Sequence, residues 1–182
     1  MKRIAWLWLS VILLVLVPSA GAQDANITTI ILVRHAEQDR SDPEQHLTQA
    51  GQKRAKELAR VLKHVPLAAI YSTNTARTKE TAKPTSDEKK VPIMIYEYVN
   101  MDNLTFFTDK ILGAYRGKTI LISGHSDDVP TLVTMFLKEY VTGMKVDLMK
   151  KEVHDSIFVV SLPDAGKGRA VELKYGEPSP PG

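Results

Sequence analysis

The chain has 182 residues, no cysteine, and 24 Lys and Arg against 21 Asp and Glu, a formal net charge of +3. Without cysteine neither a disulfide frame nor a thiolate metal site can form, and so small a basic excess makes nucleic acid a poor partner. No internal repeat is visible, which excludes solenoids and propellers.

The amino end has the pattern of a targeting segment. Lys2 and Arg3 precede an almost unbroken apolar run from Ile4 to Val17, short for a bilayer span, and Ala20-Gly21-Ala22 offers the small residues a signal peptidase accepts. Residues 1–22 are therefore expected to be a bacterial signal peptide cleaved after Ala22, giving a secreted or periplasmic product with no stable membrane insertion. An uncleaved anchor is the alternative. Losing Lys2 and Arg3 lowers the net charge from +3 to +1. What remains, about 160 residues, suits one domain over residues 23–175. Gly176 to Gly182 is proline-rich and is expected to be a disordered tail.

Within that domain short β-branched runs alternate with amphipathic segments, the signature of an α/β fold with a mainly parallel sheet. Thr29 to Arg34 predicts a buried strand, and Glu37 to His46, polar and containing Asp42-Pro43, a loop. Ala55, Leu58, Ala59 and Leu62 fall on one face of a helix starting near Thr48, with Arg54, Lys56 and Arg60 on its solvated side. Ala68 to Ser72 predicts a second strand, followed by a short helix from Thr75 to Ala82 that stops before Pro84. Ser86 to Lys90 then forms a surface turn. Val91 to Tyr96 predicts the third strand, Leu104 to Tyr115 a helix, Lys118 to Ser123 the fourth strand and Pro130 to Tyr140 a helix. Ser156 to Leu162 and Arg169 to Tyr175 predict a closing strand pair.

Arg34-His35, Arg77 and Gly124-His125 each stand just beyond the carboxyl end of a predicted parallel strand, where open α/β sheets build their ligand crevice. Two guanidinium forks suit the oxygens of a phosphoryl group, and a neutral imidazole can attack its phosphorus. Arg77, near a helix start, adds free backbone amides for the same anion. His46, His64 and His154 have no such company and are expected at the surface or in local hydrogen bonds. Glu80, like Glu57, is expected to pair with nearby lysines, and no zinc site is legible.

Val33-Arg34-His35-Ala36-Glu37 resembles the Arg-His-Gly/Ala signature of the histidine phosphatase superfamily, also called phosphoglycerate mutase-like. Leu47 to Ala55 is similar to that family's Leu-Thr-x-x-Gly-x-x-Arg-Ala helix start, Ile70 to Ala82 to its second arginine block, and Leu121 to Ser126 to its second histidine block. Four blocks in order span roughly residues 29–137. The resemblance implies a three-layer α/β/α sandwich and catalysis without metal or organic cofactor. It implies that His35 becomes phosphorylated while Arg34, Arg77 and His125 hold the transferring group.

The function expected is hydrolysis of a phosphomonoester, either a small phosphorylated molecule or a cell-envelope phosphate, by a histidine acid-type phosphatase. The glutamate block that the mutases carry after the third strand is missing. Glu97 is the first choice for the proton donor, with Asp102, Asp127 and Asp128 behind it, or a site working without one. Glu37 beside His35 could equally orient the loop. A non-catalytic phosphate-binding module is the alternative; a mutase proper fits poorly with the export signal and the absent block.

Overall fold

The computed structural model describes residues 26–137, 149–150, 152–164 and 167–179. The expected signal peptide with its expected cleavage point, the end of the helix expected to reach Tyr140 and the last three residues of the tail lie outside them.

The first strand, β1 (Ile27–Arg34), is buried almost throughout, because its β-branched residues are covered on both faces. It is followed by α1 (Gln49–Val61), β2 (Leu67–Ser72), α2 (Ala76–Lys89), β3 (Ile93–Ile95) and α3 (Met101–Ala114). The chain continues with β4 (Thr119–Gly124), α4 (Asp128–Leu137), β5 (Ser156–Pro163) and β6 (Arg169–Lys174). The six strands form one sheet in the order β3-β2-β4-β1-β5-β6, with β1 to β4 mutually parallel, β5 antiparallel to β1 and β6 antiparallel to β5. Crossover helices lie on both faces. Leu58, Leu62 and Ala82 from α1 and α2 pack on Ile31, Val33, Ile70 and Leu121. Leu104, Phe107, Ile111, Leu132 and Phe136 from α3 and α4 pack on Ile30, Leu32, Tyr71, Ile120 and Ile122. This is the α/β/α sandwich expected from the sequence, since alternate residues of each strand feed opposite cores.

The register sets the functional rim. Arg34 stands opposite Gly124 and Ser72 opposite Ser123, so the parallel strands end level. His35, His125 and Thr73 therefore leave the sheet side by side, with the His35 amide donating to the Gly124 carbonyl at 2.8 Å. Because β5 runs antiparallel to β1, with Ile157 opposite Val33, its amino end arrives at this same rim and brings His154 and Asp155 with it.

Four local expectations are corrected. Helix α2 does not stop at Pro84 but runs through it to Lys89, where Lys90 caps it at φ 55°. Proline removes one backbone hydrogen bond, yet Thr81, Ala82 and Thr85 on either side are buried, so packing holds the helix together. Residues 86–89 are accordingly helical. Arg54, placed on the solvated side of α1, is 5% exposed and ion-paired with Glu37. Glu80 pairs with His46 and accepts the Leu47 amide at 2.8 Å, not a lysine. The start of the tail is held too: the Ser179 amide donates to Asp155, and the Glu177 carbonyl accepts from Arg54 at 2.9 Å.

Candidate active site

The site grows from the loop that leaves β1. Ala36 is fully buried and Glu37 turns away from the crevice, its carboxylate accepting from Arg54 Nε at 3.0 Å and Nη2 at 2.6 Å. The Glu37 carbonyl accepts the Thr48 amide at 2.9 Å, while Thr48 Oγ1 caps α1 by accepting the Gly51 amide at 3.1 Å. A Cβ on Gly51 would overlap that Glu37 carbonyl, so the glycine of the Leu47-Thr48-x-x-Gly51 block is a packing requirement. Thus Glu37 orients the loop and brings no acid to the crevice.

Arg34, His35, Arg77 and His125 do come together. They line one cavity of about 690 Å³ with Gln38, Arg40, Ser126, Asp127 and Met149. The His35 and His125 rings lie 5.5 Å apart, centroid to centroid, in an edge-to-face arrangement. His35 Nδ1 is 2.8 Å from the Ala36 carbonyl, which can only accept, so Nδ1 carries the proton and Nε2 keeps its lone pair. Burial drives the His35 pKa down to about 2, helped by the nearby Arg34 and His125 and opposed by the Ala36 carbonyl. The ring is held neutral, with Nε2 free of the proton.

Arg34 Nη1 donates to the carbonyls of Lys150 and Val153 at 2.9 and 3.0 Å. Burial lowers its pKa to about 10, with Glu152 pulling the other way, so it remains a cation. Arg77 Nη1 donates to Gln45 Oε1 at 2.6 Å and Nη2 approaches His125 Nδ1 at 3.4 Å. The Nε atoms of both arginines are buried without a protein partner. Buried donors left unpaired at a crevice are what an anion would satisfy.

His125 is held from beneath. Its backbone amide donates to Asp128, whose other oxygen accepts the Tyr96 hydroxyl at 2.7 Å, and Nε2 bonds Thr73 Oγ1 at 3.0 Å. Burial lowers the His125 pKa, with Asp128 opposing, and burial raises that of Asp128. A Cβ on Gly124 would collide with Asp128 and Tyr96, which explains a glycine before His125. Asp128 is therefore committed to support. Of the other carboxylates considered, Asp127 lines the cavity, whereas Glu97 and Asp102 are exposed and do not. Among the described residues no group of three or more His, Asp and Glu is arranged to hold a metal ion.

His154 is corrected outright: it is buried, its ring 5.5 Å from that of His35 and its Nδ1 2.8 Å from the His35 carbonyl. Thr73, Gln45 and Thr81 also entered the site unannounced. The signal for His154 was available, because a strand pairing antiparallel to β1 must begin where β1 ends.

Residues 30–100 match the family model described as histidine phosphatase superfamily, branch 1. No curated protein matches the chain by sequence. Among solved structures the fold is similar to native mycobacterial glucosyl-3-phosphoglycerate phosphatase, with a TM-score of 0.64 at 10% identity over 82% of this chain and 100% of that one. It is also similar to a putative phosphohistidine phosphatase SixA from Nakamurella (TM-score 0.57, 16% identity, 84% and 96% covered). A third likeness is to phosphoglycerate mutase from Plasmodium falciparum (TM-score 0.54, 19% identity, 84% and 92% covered). With the matched segment carrying Arg34, His35 and Arg77 and the register adding His125 beside them, the chain has a phosphoglycerate mutase-like fold in which residues 30–100 match the histidine phosphatase superfamily model.

Proposed function

We propose that the protein is a histidine acid-type phosphatase that hydrolyses a phosphomonoester through a phosphohistidine on His35. The observation that carries this is the state of His35: a buried imidazole with its proton fixed on Nδ1 by the Ala36 carbonyl, in a cavity flanked by two arginines with unpaired buried donors. His35 Nε2 attacks phosphorus, the ester oxygen departs with the bonding pair and takes a proton, and the ring carries the phosphoryl group with Nδ1–H still on the Ala36 carbonyl. Arg34, Arg77 and His125 meet the oxygens whose charge develops in flight. Asp127, on the cavity lining, is placed to give that proton and then to take one from the attacking water. Water breaks the N–P bond and releases inorganic phosphate.

Two of the like-folded proteins are phosphatases by name, which agrees with this reading. The apolar run Ile4 to Val17 and Ala20-Gly21-Ala22 support export with cleavage after Ala22, hence a small phosphorylated molecule or a cell-envelope phosphate as substrate. Mass spectrometry of the product from a secreting host should find Gln23 first. For the reaction, brief exposure to ³²P-labelled p-nitrophenyl phosphate followed by alkaline quench should leave an acid-labile label on wild-type protein and none on His35→Ala. A label elsewhere, or turnover by His35→Ala, would overturn the assignment; binding without turnover would favour the non-catalytic module.

A further inference from the structure

One peptide unit beside the nucleophile is gripped at both ends. The His35–Ala36 peptide offers its N–H to Thr81 Oγ1 at 2.8 Å and its C=O to His154 Nδ1 at 2.8 Å. Thr81 in turn donates to the Arg77 carbonyl at 2.7 Å, and the His154 amide donates to Ser179 Oγ at 2.9 Å. The grip therefore joins α2, which carries Arg77, to the segment entering β5.

The orientation of this peptide decides where the next carbonyl stands. Rotation about it moves the Ala36 C=O, and that carbonyl is the acceptor that keeps the His35 proton on Nδ1. We propose that His154 is a positioning residue whose Nδ1–H, with the Thr81 hydroxyl opposite, clamps the His35–Ala36 peptide so that His35 presents Nε2 unprotonated to the cavity. His154 does not line the cavity, so it acts through the peptide and not on the substrate. Its location agrees: it is buried, its ring lies beside that of His35, and its one hydrogen-bonded ring nitrogen is spent on the His35 carbonyl.

The inference rests on His35 being the nucleophile, and its test separates the two. Asparagine can place an amide N–H near where a histidine Nδ1–H stands, whereas leucine fills the volume without a donor. His154→Leu should lose on the order of 10²-fold in kcat with KM nearly unchanged, the scale of a misplaced reacting group. His154→Asn should recover most of it. In ¹⁵N-histidine NMR, His35 should be the Nδ1–H tautomer in wild type and in His154→Asn, and a mixture of tautomers in His154→Leu.

Unchanged kcat and tautomer in His154→Leu would overturn the clamp, as would a folded His154→Asn as slow as the leucine variant. If His154→Leu does not fold, the wild-type spectrum decides: His154 with its proton on Nε2 is incompatible with donation to the His35 carbonyl. The expected NMR pattern in a protein that turns over no phosphoester would leave the clamp standing and remove the phosphatase reading instead.

Discussion

Glu37 and Arg54 form a two-pronged ion pair that joins the loop after His35 to α1, and the same guanidinium reaches the carbonyls of Tyr175 and Glu177 at 2.9 Å each. Arg54 is buried, so removing its partner leaves a charge in the interior. Arg54→Ala and Glu37→Leu should each destabilise the fold by about 3–5 kcal/mol, read by urea unfolding. Smaller losses, within the scatter of surface substitutions, would show that the pair is solvated in solution.

Gly51 offers a gentler probe of the same contact. Any side chain there must push the Glu37 carbonyl away from the cap of α1. Gly51→Ala should cost about 1–3 kcal/mol, the scale of overpacking, despite alanine's better helix propensity. Since Glu37 is two residues past His35, turnover should fall as well. A stabilised Gly51→Ala would mean that the loop yields freely.

The fold and the meeting of Arg34, His35, Arg77 and His125 at one cavity were legible because each leaves a local trace. Buried β-branched runs mark the strands, and chemistry-bearing residues directly after them must share a rim once the strands are parallel. What escaped was set by tertiary packing. Arg54 lies on the helix face that periodicity assigns to solvent, but the returning tail and Glu37 cover it, which hydropathy cannot register. Pro84 reads as a stop, while burial of Thr81 and Thr85 carries α2 past it. His154 reads as isolated because His35, whose carbonyl and ring it meets, is 119 positions away, brought near only by the antiparallel pairing of β5 with β1.

Two buried histidines, His35 and His154, and the half-buried His125 give stability a definite pH dependence. His35, His125 and His154 all have pKa values lowered by burial from an ordinary 6.5, His35 to about 2. Below pH 6.5 the unfolded chain takes up protons that the folded chain refuses. The unfolded state then binds more protons, so this stability is present above 6.5 and is lost as pH falls. His35 alone contributes a slope approaching ~1.4 kcal/mol per pH unit. Asp128, raised by burial, and the exposed His46, raised by Glu80, act in the opposite sense but are outnumbered. Glu37 starts to titrate only lower, from 4.5 downward. Urea unfolding between pH 7.5 and pH 5 should therefore show stability falling with pH, less steeply in His35→Asn. A flat profile in wild type would mean that these rings are not held neutral.

The proton donor is the remaining question of chemistry, and geometry separates the two leading carboxylates. Asp127 lines the cavity beside His125, whereas Glu97 follows β3, is exposed and does not line it. A general acid matters most when the leaving oxygen is a poor one, because an alkoxide needs the proton far more than p-nitrophenolate does. Asp127→Asn should slow an alkyl phosphate by about 10²- to 10⁴-fold and p-nitrophenyl phosphate much less. Glu97→Gln should leave both rates near wild type. The reverse pattern would move the acid to Glu97 and require the loop after β3 to close over the bound ester. Equal small losses in both variants would show that water or the substrate itself supplies the proton, with His35, His125 and the two arginines carrying the transfer alone.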